Sequence, residues 1–183
     1  MSNDETYVMY EVEIDRLALI FKDGTEKVFP EALTNGRANY ILFEYLIRDL
    51  AGLVKAKGSD HKNAKGENFE QKAFPDIDLY PNADDRFQVS ASSTFPANNN
   101  GPKIKKFLDS GDYDSALKIC METGYDKNDF YVLTNTSHYE VGAPFRYMII
   151  PKDDLVANLD KADPRLLSRK WLLSKVKRTV KIS

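Results

Sequence analysis

One stretch of this 183-residue chain combines residue types and spacing that can do chemistry: an aspartate two positions after a glycine, then, ten positions on, Glu-x-Lys inside an apolar run. It reads Gly58-Ser59-Asp60-His61-Lys62-Asn63-Ala64-Lys65-Gly66-Glu67-Asn68-Phe69-Glu70-Gln71-Lys72-Ala73-Phe74. On a strand, alternation puts Glu70 and Lys72 on one face, roughly 6–7 Å apart at the backbone. Two opposite charges among Phe69, Ala73 and Phe74 need a reason, because burying a charge is costly. Asp60 and Glu70 can hold a hard cation through oxygen, and the backbone carbonyl of Gln71 completes a ligand set of the kind magnesium prefers. Lys72 cannot ligate, but its ammonium can orient a water and offset negative charge in a transition state. These parts are the ones that metal-assisted hydrolysis of a phosphodiester requires. The expected catalytic residues are therefore Asp60, Glu70 and Lys72. The expected ligands of Mg2+ are Asp60, Glu70 and Gln71.

Asp/Glu-x-Lys alone is a weak signal, expected about once by chance in a chain of this size. Asp60-His61-Lys62 is a second match. Glu70-Gln71-Lys72 is singled out by its strand-like setting and by the aspartate upstream. The competing reading is structural: Asp60 caps a turn, and Glu70 and Lys72 form an ion pair on a sheet surface.

The elements that must position these residues follow from periodicity. Val12, Ile14, Leu17, Leu19 and Phe21, with Asp23-Gly24 as the turn, predict a β-hairpin over 10–30. Ile41, Tyr45, Leu46, Leu50, Leu53 and Val54 recur near helical spacing and predict a helix over 38–54. Residues 55–68 read as a loop or short irregular strand, 69–74 as a strand ended by Pro75, and 75–85 as a loop. Further strands are expected at 86–94, 130–134 and 145–150, with a loop over 95–102. A helix is expected at 115–123, with Gly124 as its C-cap. From 153 on the chain reads as helical and then extended at 179–182. This order implies an α/β (α+β) fold with a central mixed sheet flanked by helices. The length suits a single domain over 1–183, in three parts: hairpin and helix 1–55, catalytic core 56–90, and recognition and C-terminal part 91–183.

Composition narrows the function classes. Hydrophobic residues make up 42% and charged residues 30%, an ordinary globular balance. No apolar run approaches the length of a membrane helix, and the polar, acidic start is unlike a secretory signal. A cytoplasmic location and no membrane partner are expected. The single cysteine, Cys120, excludes an intrachain disulfide and a cysteine zinc site. Two histidines, His61 and His138, are too few for a histidine-rich metal centre. Gly-x-Ser-x-Gly and the glycine-rich nucleotide loops are missing from the sequence. Net charge is −2, but unevenly spread. Seven of the 26 basic residues fall in 165–183 with no acidic one, which leaves 19 basic against 28 acidic elsewhere. That asymmetry fits either a polyanion partner or a solvated basic tail.

The block 58–74 resembles the PD-(D/E)xK nuclease motif, most closely that of PvuII-type restriction endonucleases. Gly58-x-Asp60, Gly66 and Glu70-x-Lys72 stand in the family's arrangement. The resemblance extends, less specifically, to about two-thirds of the chain: the polar segment 90–100, the strand near 130–133, Ile149-Ile150-Pro151-Lys152-Asp153, and Arg169-Lys170-Trp171. There are departures. No proline precedes Asp60, residues 92–100 lack the family's recognition histidines, and the N-terminal hairpin has no counterpart. The resemblance implies a restriction-endonuclease-like fold. It implies Mg2+-dependent cleavage of double-stranded DNA at a short palindromic site by a homodimer, with Asp60 and Glu70 as metal ligands and Lys72 as the catalytic lysine.

Within that reading, Ser90, Ser92, Ser93, Thr94, Asn98, Asn99 and Asn100 are candidate base contacts and Lys103 a phosphate contact. The competing reading is a polar surface loop. Glu44 is either a supporting acidic residue for the metal or, the preferred reading, a solvent-facing helix residue. His61 and His138 are expected in exposed loops, and Cys120 and Trp171 in the core. Three rivals stand against the restriction reading: a junction-resolving or repair nuclease on the same core, a non-catalytic DNA-binding protein, and a protein-interaction module.

Overall fold

The computed structural model describes residues 7–29, 36–90, 100–140 and 142–182. The first half of the chain holds β1 (Tyr7–Glu13), β2 (Leu17–Ile20), β3 (Glu26–Phe29), α1 (Gly36–Ala51), β4 (Val54–Lys55), β5 (His61–Lys62), β6 (Asn68–Pro75) and β7 (Arg86–Gln88). The second holds α2 (Asn100–Asp109), α3 (Tyr113–Thr123), β8 (Phe130–Ser137), β9 (Pro144–Pro151), α4 (Lys152–Ala157), β10 (Leu166–Ser168), α5 (Arg169–Ser174) and β11 (Val176–Ile182).

Seven strands form one mixed sheet in the order β11-β1-β9-β8-β6-β5-β4, and two small two-stranded sheets join β2 to β3 and β7 to β10. The pairs β1/β11 and β6/β8 are parallel. The expected α/β fold with a central mixed sheet flanked by helices is what the chain adopts.

The middle strands are apolar on both faces because both faces are covered. On β8, Tyr131 and Leu133 point into one cluster and Val132 into the other. The first cluster packs Ile104 of α2, Ala116 and Cys120 of α3 and Leu155 of α4 against the sheet. The second packs Phe43 and Ile47 of α1 against Phe69, Phe145 and Tyr147. Cys120 is fully buried, and Trp171 packs against the first cluster, both as expected.

Four differences from the sequence expectations have physical causes. The hairpin over 10–30 is only β2 with β3; Val12 belongs to β1, which enters the central sheet between β9 and β11. The helix over 38–54 stops at Ala51, where the Leu53 N–H bonds back to the Arg48 carbonyl at 2.9 Å and frees Val54 for β4. The inward face of α1 also differs: Phe43 and Ile47 are buried, while Ile41 and Tyr45 are 55% and 62% exposed. Two charged residues, Glu44 and Arg48, share the inward stripe, so apolar periodicity points the wrong way. Finally, residues 100–102 are not loop but the start of α2, since a proline in a first helical turn gives up no intrahelical hydrogen bond.

The basic C-terminal stretch is partly consumed by structure. Arg165 pairs with Asp163 at 2.6 Å, and Lys181 lies 3.5 Å from both Glu11 and Glu13. Arg169 is 2% exposed and donates to the carbonyls of Pro75, Asp76, Tyr80, Pro81 and Ala83. Lys170, Lys177 and Arg178 remain at the surface.

Candidate active site

The site forms where β6 outruns β5. The two strands pair only through His61 with Phe69 and Lys62 with Asn68. The turn between them is tight: Asn63 Oδ1 accepts from the N–H groups of Lys65 and Glu67, both at 3.0 Å, and the Gly66 N–H bonds to the Asn63 carbonyl. Gly66 has φ 86° and Gly58 has φ 92°, a backbone region that glycine enters at little cost. Gly66 lies in the turn that pairs β5 with β6 and so brings Asp60 alongside β6.

Beyond Phe69, the Gln71 N–H donates to Asp60 Oδ2 at 2.8 Å. The amide and carbonyl of a strand residue point to the same side, so the Gln71 carbonyl also faces the Asp60 side. Consistently, the carbonyl of the next residue, Lys72, faces β8, where it accepts from Thr134 Oγ1 at 3.4 Å. Glu70 and Lys72 share one face of β6, as alternation requires, and their side chains are paired. They are only 17% and 16% exposed. Tyr131, 1% exposed on β8, lies in register with Glu70.

Helix α1 lays a second row of polar groups on the site at four-residue spacing. The Tyr40 hydroxyl donates to Asp60 Oδ2 at 2.5 Å. Glu44 pairs with Arg48 at 2.7 Å, and Arg48 Nε donates to His61 Nδ1 at 3.3 Å. His61, fully buried, meets Gln71 Oε1 through Nε2 at 2.9 Å. With Nδ1 occupied as an acceptor, the proton belongs on Nε2.

The electrostatics match a crowded acidic site. Burial holds the Glu70 carboxyl above the usual range, opposed by Lys72 and reinforced by the charge of Asp60. Glu44 is raised by burial and then by Asp60. Burial, Asp60 and the hydrogen bond to it all push the Tyr40 hydroxyl up, and burial pushes His61 down, so that it stays neutral.

Among the described residues no three His, Cys, Asp or Glu side chains converge as a ready-made metal cage. Magnesium does not demand one, since it keeps several waters and takes one or two carboxylates. Two mutually repelling carboxylates, Asp60 and Glu70, with the Gln71 carbonyl turned to the same side, fit that modest requirement.

The four residues expected to carry the chemistry, Asp60, Glu70, Gln71 and Lys72, therefore come together. Glu44 joins them instead of facing solvent, with its side chain 16% exposed. His61 is likewise inside the structure and not in an exposed loop. Ser90 is 2% exposed, bonded through its N–H to the Arg165 carbonyl, and has no surface to offer a base edge. Ser92, Ser93, Thr94, Asn98 and Asn99 lie outside the described residues. Asn100 and the exposed Lys103 stand in the first turn of α2. Sequence reasoning missed Tyr40, Arg48 and His61. The signal that could have found two of them was the Tyr40-Glu44-Arg48 spacing, a polar row along one side of α1. No family model, curated protein or solved structure matches the chain.

Proposed function

We propose that this protein is a magnesium-dependent nuclease that hydrolyses phosphodiester bonds in double-stranded DNA, and that it is a type II restriction endonuclease of the PD-(D/E)xK, PvuII-like kind. The observation that carries the reading is the convergence of Asp60 on the Gln71 amide beside the half-buried Glu70–Lys72 pair. Three ionisable side chains are held together, and burial penalises the charge of Glu70 among them, which a surface ion pair would not need.

Asp60, Glu70 and the Gln71 carbonyl would hold the ion. When bound, magnesium supplies Lewis-acid activation of water and neutralises phosphate charge. Lys72 has three ammonium donors and gives one to Glu70. The other two can orient the attacking water and bind the phosphoryl oxygens as charge builds on them. The attacking water releases a proton to solvent as its oxygen forms the new P–O bond, one ester P–O bond breaks, and the departing oxygen takes a proton from solvent. A two-fold pair of subunits matches a palindromic site and cuts both strands. The outward, exposed Ile41, Leu42 and Tyr45 of α1 support a subunit contact there.

The Glu70–Lys72 contact also favours one rival, a non-catalytic DNA-binding protein in which the pair is only structural. The test is incubation of the purified protein with unmethylated phage DNA and magnesium, beside Lys72→Ala and an EDTA control. Discrete fragments that vanish in both controls are expected. A smear of fragments would point to a nuclease without a fixed site. Intact DNA with magnesium and with manganese would overturn the nuclease reading in favour of the rival.

A further inference from the structure

The motif residues do not account for how Asp60 is aimed. Its Oδ2 accepts two hydrogen bonds, from the Gln71 N–H at 2.8 Å and from the Tyr40 hydroxyl at 2.5 Å. Two donors on one oxygen fix the carboxylate plane from opposite elements, the strand on one side and α1 on the other. Among the described residues nothing donates to Oδ1. A tyrosine hydroxyl carries a single proton. The Tyr40 hydroxyl also lies close enough to Glu44 to act on that carboxyl, but its proton is committed to Asp60.

Tyr40 in turn has little freedom. It sits in the first half of α1, four residues before Glu44 and eight before Arg48, on the helix face that Phe43 and Ile47 bury against the sheet. Arg48 anchors the other end of the same stripe on His61, the residue next to Asp60. The helix thus grips the Asp60-His61 dipeptide at two points.

We propose that Tyr40 is a positioning residue for the cation site: its hydroxyl saturates Asp60 Oδ2 and so presents Oδ1 to the ion. The inference rests on Asp60 being a ligand, as the proposed function holds. Groups that orient a metal ligand from behind commonly contribute about 10–100-fold in metal affinity. The alternative role, a merely stabilising tyrosine, would leave cation affinity untouched.

The experiment is calorimetric titration of the full chain with Mg2+ alone, without DNA, for wild type, Tyr40→Phe, Asp60→Asn and the double variant. Phenylalanine keeps the ring, so the fold is retained, and circular dichroism with thermal melting checks it. Wild type is expected to bind, Asp60→Asn to lose binding, and Tyr40→Phe to bind about tenfold or more weakly. In the double variant, Tyr40→Phe adds no loss beyond that of Asp60→Asn, because the two act through one bond. Tyr40→Phe binding as wild type does, or more tightly, overturns the inference while leaving the cation site intact. Wild type and Asp60→Asn binding alike, or neither binding, overturns the cation site and the inference with it.

Discussion

His61 donates its Nε2 proton to Gln71 Oε1 at 2.9 Å, inside the protein and one residue from Asp60. Gln71 is therefore held twice, by its side chain on His61 and by its amide on Asp60. Replacing His61 with leucine leaves Gln71 Oε1 and Arg48 Nε without partners, at a cost of about 1–3 kcal/mol for each unsatisfied group. Thermal melting should fall accordingly. The pH dependence has a definite sign. Burial lowers the folded pKa of His61, so the unfolded chain binds the extra proton first. Wild-type stability is then complete above the ordinary histidine value of about 6.5 and declines as pH drops below it. That component should be missing from melting curves of His61→Leu.

Arg169 ties the loop after β6 to the start of α5. Its guanidinium donates to five backbone carbonyls between Pro75 and Ala83, at 2.9–3.5 Å. Lysine keeps the charge but not the planar fork. Arg169→Lys should lose about 2–3 kcal/mol in denaturant unfolding, on the scale of losing charge-assisted hydrogen bonds to buried carbonyls. Hydrogen exchange should speed up in 76–85 before it does in β8. Equal protection there in wild type and variant would refute the anchoring role.

Glu11 and Arg146 join β1 to β9 through a 2.8 Å contact, with the Glu11 side chain 9% exposed. The hydrogen bond from Arg146 is the main cause that holds the Glu11 carboxyl below its usual range, with Lys181 helping. A lowered carboxylate pKa stabilises the fold above the unfolded value, about 4.3, and the benefit fades as pH falls through the folded value. Glu11→Gln should therefore cost about 1 kcal/mol at pH 7, the difference between a charge-assisted and a neutral hydrogen bond. The gap to wild type should close in acid. A gap that stays constant from pH 7 to pH 3 would refute the electrostatic origin.

What could be read from the residues, and what could not, divides along physical lines. Strands β8 and β9 were legible because a doubly covered strand carries apolar residues on both faces, and β6 because Phe69, Ala73 and Phe74 flank its polar centre. Glu70 and Lys72 were legible because charges interrupt such a strand only for a reason. The inward face of α1 was not, because Glu44 and Arg48 occupy it and point the hydrophobic pattern at Ile41 and Tyr45. Helix α2 was hidden by Gly101-Pro102, a pair that marks a turn as readily as a helix start. His61 was hidden because its partners come from α1 and β6, a tertiary contact with no local signature.

The placing of β1 has a consequence for the order of events in synthesis. Its neighbours are β9 and β11, and its register with β11 joins Tyr7 to Val176, 169 positions apart. During synthesis β1 leaves the ribosome well before β11, so it has no parallel partner until that strand follows. Until then one border of β1 is an open template for another chain. The slow, long-range closure of that pair, not the local assembly of the site, should limit how fast this protein matures.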